Sequence, residues 1–129
     1  MFRLADVYLM YAEAVLRGAG NGDRGTALNY INQLRLRAYG DNSADITDGE
    51  LTLDFLLDER GRELYYEATR RVDMIRFNVF SSRGGASEKL WEWKGGEPSG
   101  KSISPHLEIL PIPASDLGVN DNLIQNPGY

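Results

Sequence analysis

Hydrophobic residues recur at steps of three and four in the first third of the chain, which is the spacing of one face of an α-helix. One such segment runs from about Arg3 to Arg17, and a second from about Asp23 to Tyr39. The predicted inward positions are Leu4, Val7, Tyr8, Tyr11, Ala14 and Val15 in the first segment, and Ala27, Leu28, Ile31, Leu34 and Ala38 in the second. Because only the glycine-rich stretch 18–22 separates them, the pattern predicts an antiparallel helical hairpin over residues 1–40.

A third helix is predicted over about Leu53–Thr69, with Thr52 as its N-cap, and a short fourth helix over about Arg71–Phe77. The inward side of the third helix is predicted to carry Leu53, Leu57, Leu64 and Ala68. A single hairpin cannot bury both its faces, so this region, residues 52–77, is expected to supply the next layer of a repeat-like array.

From residue 78 to 129 the chain is rich in loop-forming residues. Leu90–Lys94 alternates in the manner of a strand, and His106–Ile112 is predicted to be extended because Pro111 and Pro113 exclude regular helix there. One helical turn is expected at 115–117. The expected anchors of the tail are Leu107, Ile109, Ile112, Leu117, Leu123 and Ile124. The predicted fold class is mostly α: a tetratricopeptide-like (TPR-like) helical-hairpin fragment with an irregular, loop-rich C-terminal tail.

Charges in the third and fourth predicted helices are unusually ordered. Acids and arginines stand three and four residues apart, the spacing of neighbours on a helix. The residues are Glu59, Arg60, Glu63, Glu67, Arg70, Asp73 and Arg76. Glycosidase carboxyl groups flank a bond at roughly 5–10 Å and usually come from different elements, so acids on one helix beside arginines fit that role poorly. The pattern therefore favours a structural ion network, in which arginine supplies a fork of donors.

These residues resemble the signature of the SusD/RagB family of outer-membrane nutrient-binding lipoproteins. The matching segments are Glu59-Arg60-x-Arg62-Glu63-Leu64, Glu67-x-x-Arg70 and Asp73-Met74-Ile75-Arg76, followed near the end by Leu110-Pro111-Ile112-Pro113, Asp116 and Asn122-Leu123-Ile124-Gln125-Asn126-Pro127-Gly128-Tyr129. Two motifs in the right order make the resemblance specific. Family members are several times longer, so the chain is expected to be the C-terminal domain of one.

The resemblance implies a cell-surface protein that captures a glycan or other nutrient and delivers it to a TonB-dependent, SusC-like outer-membrane transporter. It implies a lipid anchor in a preceding part of the protein, outer-membrane localisation and no enzymatic activity. The signature residues are carried over as scaffold, because the family's ligand contacts lie largely in variable loops.

Composition limits the other possibilities. The 129 residues carry a net charge of -5 and no cysteine, which argues against a nucleic-acid partner and against thiol chemistry. A single histidine, His106, excludes the common histidine-based zinc and triad sites. The stretch Asp41–Asp48 begins like a calcium loop, but Ile46 stands where glycine is needed and Thr52 where glutamate is needed. A solvated acidic loop is the better interpretation, and no cofactor is expected.

Trp91 and Trp93 are the candidate ligand-contact residues. Two residues apart on a strand, they point to the same face and would offer adjacent aromatic surfaces to a sugar ring. The competing interpretation, that this face covers the helical core, stays open because large aromatic residues are mostly buried. A stand-alone TPR-like protein-interaction module is the alternative function; the terminal motif argues against it. A hydrolase function is disfavoured, because the sequence offers no nucleophile, no set of metal ligands and no suitably placed acids.

Overall fold

The computed structural model describes residues 3–81, 83 and 102–129, and these form helices and turns with no β-strand among them. The α-helices are α1 (Leu4–Leu16), α2 (Arg24–Tyr39), α3 (Leu53–Glu63), α4 (Arg70–Arg76) and α5 (Ala114–Leu117), with single 3₁₀ turns at Asn42–Ala44, Asp48–Glu50 and Pro105–Glu108. The chain divides into two compact units, Met1–Arg70 and Arg71–Tyr129. The mostly α fold class predicted from the sequence is confirmed.

The first two helices form the predicted hairpin. The ring of Tyr8 stacks on that of Tyr30 at 4.1 Å between centroids, and Tyr11 meets the same ring edge-on at 5.2 Å. The Tyr11 hydroxyl accepts a hydrogen bond from the amide of Asp23, 3.0 Å away. The end of α1 therefore lies beside the start of α2, which is the antiparallel arrangement of a TPR-like hairpin.

The buried face of α1 differs from the predicted one. Ala5, Leu9 and Ala12 are buried, whereas Leu4 and Val7, both predicted to point inward, are 65% and 46% exposed. Ala5, Leu9 and Ala12 stand three and four residues apart and so define the buried face, which turns Leu4 and Val7 outward. The prediction for Leu4 and Val7 was therefore wrong for this chain.

Helix α2 follows its prediction more closely. The Asp23 carboxylate caps its start by accepting from the amide of Thr26 at 2.6 Å, and the amide of Gly40 donates to the Leu36 carbonyl at 2.8 Å at its end. Ala27, Ile31 and Leu34 are buried as predicted, but Ala38 is exposed. Ala38 belongs to the last turn of the helix, beyond the residues that α1 covers.

The connection between α2 and α3 is held by polar side chains. The Asn32 amide pairs with both backbone groups of Ile46, at 2.9 and 3.0 Å, and Ile46 is buried. Arg24 donates to the carbonyl of Leu51 at 3.0 Å. The Thr52 hydroxyl then accepts from the amide of Phe55 at 3.1 Å, so the predicted N-cap of α3 is confirmed.

Helix α3 ends at Glu63, six residues before the predicted end at Thr69. Leu56, Leu57 and Leu64 are buried, and Leu56 and Leu64 belong to the first unit's core, whereas Ala68 is exposed. Residues 64–68 form turns, and we call them the turn segment. Two of its non-glycine residues, Tyr66 and Ala68, have φ near +60°. The apolar periodicity continues through this segment, so the sequence pattern alone gave no sign of the break.

The second unit contains α4, the 3₁₀ turn Pro105–Glu108 and α5. The turn shows that the extended prediction for His106–Ile112 was wrong over its first half, because Pro105 starts a helical turn there. Several expected apolar anchors of the tail are exposed: Leu107, Ile109, Leu123 and Ile124. The helical turn expected at 115–117 lies within α5, and the predicted strand Leu90–Lys94 lies outside the described residues.

Candidate functional site

The acids of α3 bind arginines from other helices. Glu59 and Arg60 are both buried, with 6% and 5% of their surface exposed. Glu59 Oε2 accepts from Arg35 Nη1 of α2 at 2.9 Å and from Arg62 at 2.6 and 2.8 Å. Arg60 Nη1 lies 3.0 Å from Asp6 Oδ1 of α1. One turn of α3 is thereby tied to both helices of the hairpin.

Glu63 makes a second set of cross-links one turn later. Its side chain is 8% exposed and pairs with Arg3 Nη2 at 2.5 Å and with Arg37 of α2. Arg3 precedes α1 and also donates to the Glu63 carbonyl at 3.2 Å. The hydrogen bond to Glu67 raises the pKa of Arg3 above its ordinary value; burial opposes this rise, and the hydrogen bond to Glu63 adds to it. Glu63, at the end of α3, is therefore bound both to the start of α1 and to the last turn of α2.

The structure separates Glu67 from the other two acids of the predicted row. Because α3 ends at Glu63, Glu67 lies in the following turn segment and meets Arg3 there. The three acids consequently do not form one row along a helix, as the sequence pattern had indicated. Their partners are chiefly arginines distant in sequence, rather than the three-residue neighbours predicted.

Arg70 closes the turn segment onto α3. Its Nη1 donates to the Leu57 carbonyl at 2.5 Å, and its Nη2 lies 3.7 Å from Asp58 Oδ1. The guanidinium passes so close to Gly61 that a Cβ there would stand 2.9 Å from Nη1. Glycine at this position makes room for the arginine, which explains the glycine within the charged segment.

Asp73 and Arg76 pair in the second unit. Arg76 Nη2 donates to Asp73 Oδ1 at 2.7 Å, one turn apart on α4, as their three-residue spacing predicts. Asp73 is 3% exposed. The seven signature residues thus lie in two groups, five in the first unit and two in the second.

The two halves of the terminal motif bind each other through polar side chains. The Gln125 amide pairs with both backbone groups of Ile112, at 2.9 and 3.0 Å. Asn126 donates to the Leu110 carbonyl at 2.8 Å, and the Tyr129 hydroxyl donates to the Ile109 carbonyl at 2.6 Å. We call this arrangement the terminal clasp. It fastens the tail by hydrogen bonds where the sequence had suggested apolar anchors.

Close packing in the terminal clasp also explains its glycine. Gly128 has φ near +99°, and a Cβ there would stand 2.7 Å from His106 Cβ. The His106 ring in turn meets the Tyr129 ring edge-on at 5.1 Å. Any other residue at 128 would be strained and would displace His106. His106, the one histidine, is therefore a packing partner of the tail.

An open groove of about 530 Å³ lies over the turn segment at the end of α3. Its lining residues are Asp58, Gly61, Arg62, Leu64, Tyr65, Tyr66, Ala68, Thr69 and Arg70. Tyr65 and Tyr66 are 72% and 91% exposed, with their rings 4.5 Å apart at 63°. A third helix that ran on to Thr69, as the sequence predicts, would turn one of these tyrosines toward the core. Two adjacent tyrosines were the signal available for this surface.

Among the described residues, no three His, Asp or Glu side chains are grouped so that they could hold a metal ion. In the acidic stretch after α2, Asp41 accepts from the amide of Ser43 at 2.9 Å, and hydrogen bonding to Ser43 lowers the pKa of Asp41. Glu50 accepts from the amide and hydroxyl of Thr47, and these bonds lower the pKa of Glu50. These carboxylates thus cap local turns.

The signature in residues 59–76 and the terminal clasp are both matched by a known family. The chain matches the SusD family over residues 1–129. It belongs to the SusD family. The resemblance inferred from the two motifs is thereby confirmed. In this SusD-family chain, residues of both motifs bond to other parts of the described structure.

Two curated relatives align with the whole of this SusD-family chain. The starch-binding protein SusD of Bacteroides thetaiotaomicron is 40% identical over 130 residues, which covers 100% of this chain and 21% of that protein. The SusD-like protein P25 of Formosa agariphila is 37% identical over 142 residues, covering 100% of this chain and 24% of that protein. The chain thus spans about a quarter or less of the length of these relatives.

The expected ligand contacts of this SusD-family chain stay a prediction. Trp91 and Trp93, the candidate ligand contacts, lie outside the described residues. A membrane span is a separate matter: within the described ranges, none of the helices has the length and apolar character to cross a bilayer.

Proposed function

We propose that the protein containing this chain binds an oligosaccharide or polysaccharide at the cell surface. It then delivers the glycan to a SusC-like, TonB-dependent transporter of the outer membrane. The observation that carries the proposal is the 40% identity, over the whole chain, to a starch-binding protein. In this proposal the chain is the C-terminal domain, and a lipid anchor in a preceding part attaches the protein to the membrane.

The mechanism proposed is capture and release, with no bond broken. The buried acids that a hydrolase would need are bound to arginines: Glu59 to Arg35 and Arg62, and Glu63 to Arg3 and Arg37. Acids paired in this way cross-link the helices, which is a structural role. Binding itself falls to aromatic residues, for which Trp91 and Trp93 are the candidates proposed from the sequence, since aromatic faces pack well on the apolar C–H surface of sugars.

Native affinity electrophoresis tests the proposal. The chain, shown first to unfold cooperatively on heating, is run through gels containing soluble starch, galactomannan or xyloglucan, and through a gel without polysaccharide. Retardation by at least one polysaccharide supports glycan binding by this chain. Unchanged migration in every gel contradicts it.

The second candidate, a protein-interaction module, is favoured by one observation. Leu4, Val7 and Met10 form an exposed apolar row on the outward side of α1, at 65%, 46% and 43% exposure. A module would use this row to bind a partner. Migration that no polysaccharide changes, together with self-association abolished by Leu4→Glu, would favour this second function.

A further inference from the structure

The groove over the end of α3 combines features that scaffold residues do not require. Tyr66, with 91% of its surface exposed, has φ near +63°, and Ala68 has φ near +58°. Both residues have a Cβ and so are strained in this region, which favours glycine. Strain of this kind persists where the surroundings enforce it, and it is concentrated at functional sites.

Ion pairs fix the turn segment on both sides. Glu63, the last residue of α3, is held by Arg3 and Arg37, and Glu67 within the segment is also held by Arg3. After the segment, Arg70 is bonded to the Leu57 carbonyl. The two tyrosines between these points are therefore presented by a rigid backbone, which lowers the conformational entropy that binding would cost.

The shape of the aromatic pair suits a sugar. The Tyr65 and Tyr66 rings meet at 63°, so together they form two sides of a corner open to solvent. A pyranose packs its C–H face on one ring and its edge against the other, while the phenol groups remain free to donate and accept hydrogen bonds. The groove volume of about 530 Å³ lies within the range of roughly 300–1,000 Å³ that is usual for ligand sites.

The arginines that line the groove are bound within the protein. Arg62 donates through two nitrogens to Glu59, at 2.6 and 2.8 Å. Arg70 donates to the Leu57 carbonyl, and its Nη2 lies 3.7 Å from Asp58 Oδ1. The aromatic corner itself carries no charge, so a neutral glycan suits it.

We infer that the Tyr65–Tyr66 corner is a binding site for a neutral oligosaccharide chain. The inference rests on the proposed function and assigns it a place distinct from the Trp91–Trp93 pair. One sugar unit stacks on the corner, and the rest of the oligosaccharide runs along the groove past Thr69 and Asp58. These two side chains provide hydroxyl and carboxylate oxygens for hydrogen bonds to sugar hydroxyls.

The test compares four variants with the unaltered chain in the same affinity gels, with polygalacturonate added as an acidic glycan. Tyr65→Ala with Tyr66→Ala removes both rings. Tyr65→Phe with Tyr66→Phe keeps the rings and removes the hydroxyls. Tyr39→Ala is the matched control, since Tyr39 is 57% exposed on α2 and does not line the groove. Trp91→Ala with Trp93→Ala tests the candidate pair from the sequence.

The inference expects the double alanine variant at 65 and 66 to bind the retarding neutral glycan at least about tenfold more weakly, with an unchanged melting temperature. The double phenylalanine variant and Tyr39→Ala should remain retarded. If the double alanine variant is retarded like the unaltered chain, or if only polygalacturonate retards the chain, the inference is wrong although glycan binding stands. If no gel retards the unaltered chain, glycan binding by this chain fails as well.

Discussion

The guanidinium of Arg70 occupies the space beside Gly61 in which any other residue would carry its Cβ. A Cβ at position 61 would stand 2.9 Å from Arg70 Nη1, and that nitrogen donates to the Leu57 carbonyl at 2.5 Å. Because Gly61 has no Cβ, the Arg70 guanidinium can reach the Leu57 carbonyl and hold the turn segment against α3. The groove of Tyr65 and Tyr66 lies over this contact.

We expect Gly61→Ala to reveal this coupling in a double-mutant cycle with Arg70→Ala. Alanine is about 1 kcal/mol more favourable than glycine inside a helix. In the unaltered chain this gain should be cancelled or reversed, because the displaced arginine loses a hydrogen bond worth about 1.5–3 kcal/mol. With Arg70 already replaced, Gly61→Ala should stabilise the chain by about 1 kcal/mol. Urea unfolding measures all four free energies.

Gly49→Ala is the control for that cycle, since nothing lies within 4 Å of a Cβ built there. Its effect should be the same with and without Arg70. Equal effects of Gly61→Ala in the two backgrounds would show that Arg70 and Gly61 are energetically independent.

Glu59→Ala is expected to lower the free energy of unfolding by about 3–5 kcal/mol, because it leaves a largely buried guanidinium without its carboxylate. Arg35, the partner from α2, has a side chain only 13% exposed. Glu67→Ala is the matched control: its side chain is 37% exposed, and surface pairs contribute little. Similar small losses for both variants in urea unfolding would rule out the helix cross-link as a source of stability.

Leu9→Ala and Leu4→Ala apply one substitution to two residues of α1. Leu9 is fully buried, so its truncation should cost about 2–5 kcal/mol. Leu4 is 65% exposed, so its truncation should change the free energy of unfolding by no more than about 0.5 kcal/mol. Thermal or urea unfolding gives both values, and a larger loss at Leu4 would restore the inward face predicted from the sequence.

Local signals predicted the helices of the first unit well. The bounds of α1 and α2 agree with the sequence prediction to within one residue, because a glycine-rich turn, the cap at Asp23 and Gly40 mark them. The end of α3 carries no such mark. The contacts around its break after Glu63 come from Arg3, 60 residues away in sequence, and from Arg70, which donates to the Leu57 carbonyl. Contacts of that range are invisible to periodicity.

The site could be predicted only in part for the same reason. Spacing identified the charged residues but assigned them neighbours on their own helix, whereas Glu59 and Glu63 reach Arg35, Arg37 and Arg3. In the tail, hydrophobicity favoured Ile109 and Ile124 as anchors. The structure uses amide and hydroxyl side chains on backbone carbonyls instead, as Gln125 does with Ile112. Such pairings depend on the register of two segments, which composition does not give.

Acid should weaken the start of α2. Hydrogen bonds from the hydroxyl and then the amide of Thr26 lower the pKa of Asp23. A carboxylate whose pKa is lower in the folded than in the unfolded chain contributes its stability above the unfolded pKa, near about 3.9. That contribution is lost as the pH falls through the lower folded pKa. The free energy of unfolding should therefore decrease below about pH 4 partly through Asp23.

Asp23→Asn and Thr26→Val isolate this contribution. Asparagine keeps the cap without titrating, so the acid-dependent loss should be smaller than in the unaltered chain. Valine removes the hydroxyl donor, so the folded pKa of Asp23 should rise towards its unfolded value and the acid dependence should again shrink. Urea unfolding from pH 7 to pH 3 measures both, and slopes identical to that of the unaltered chain would contradict the assignment.

The most direct measurement is the melting temperature of the chain with and without each neutral glycan. A ligand that binds only the folded state raises the melting temperature by mass action. At least one neutral glycan should raise it for the unaltered chain and for Tyr39→Ala, and should raise it clearly less for the double alanine variant at Tyr65 and Tyr66. A chain that unfolds cooperatively at the same temperature in every glycan would contradict the account.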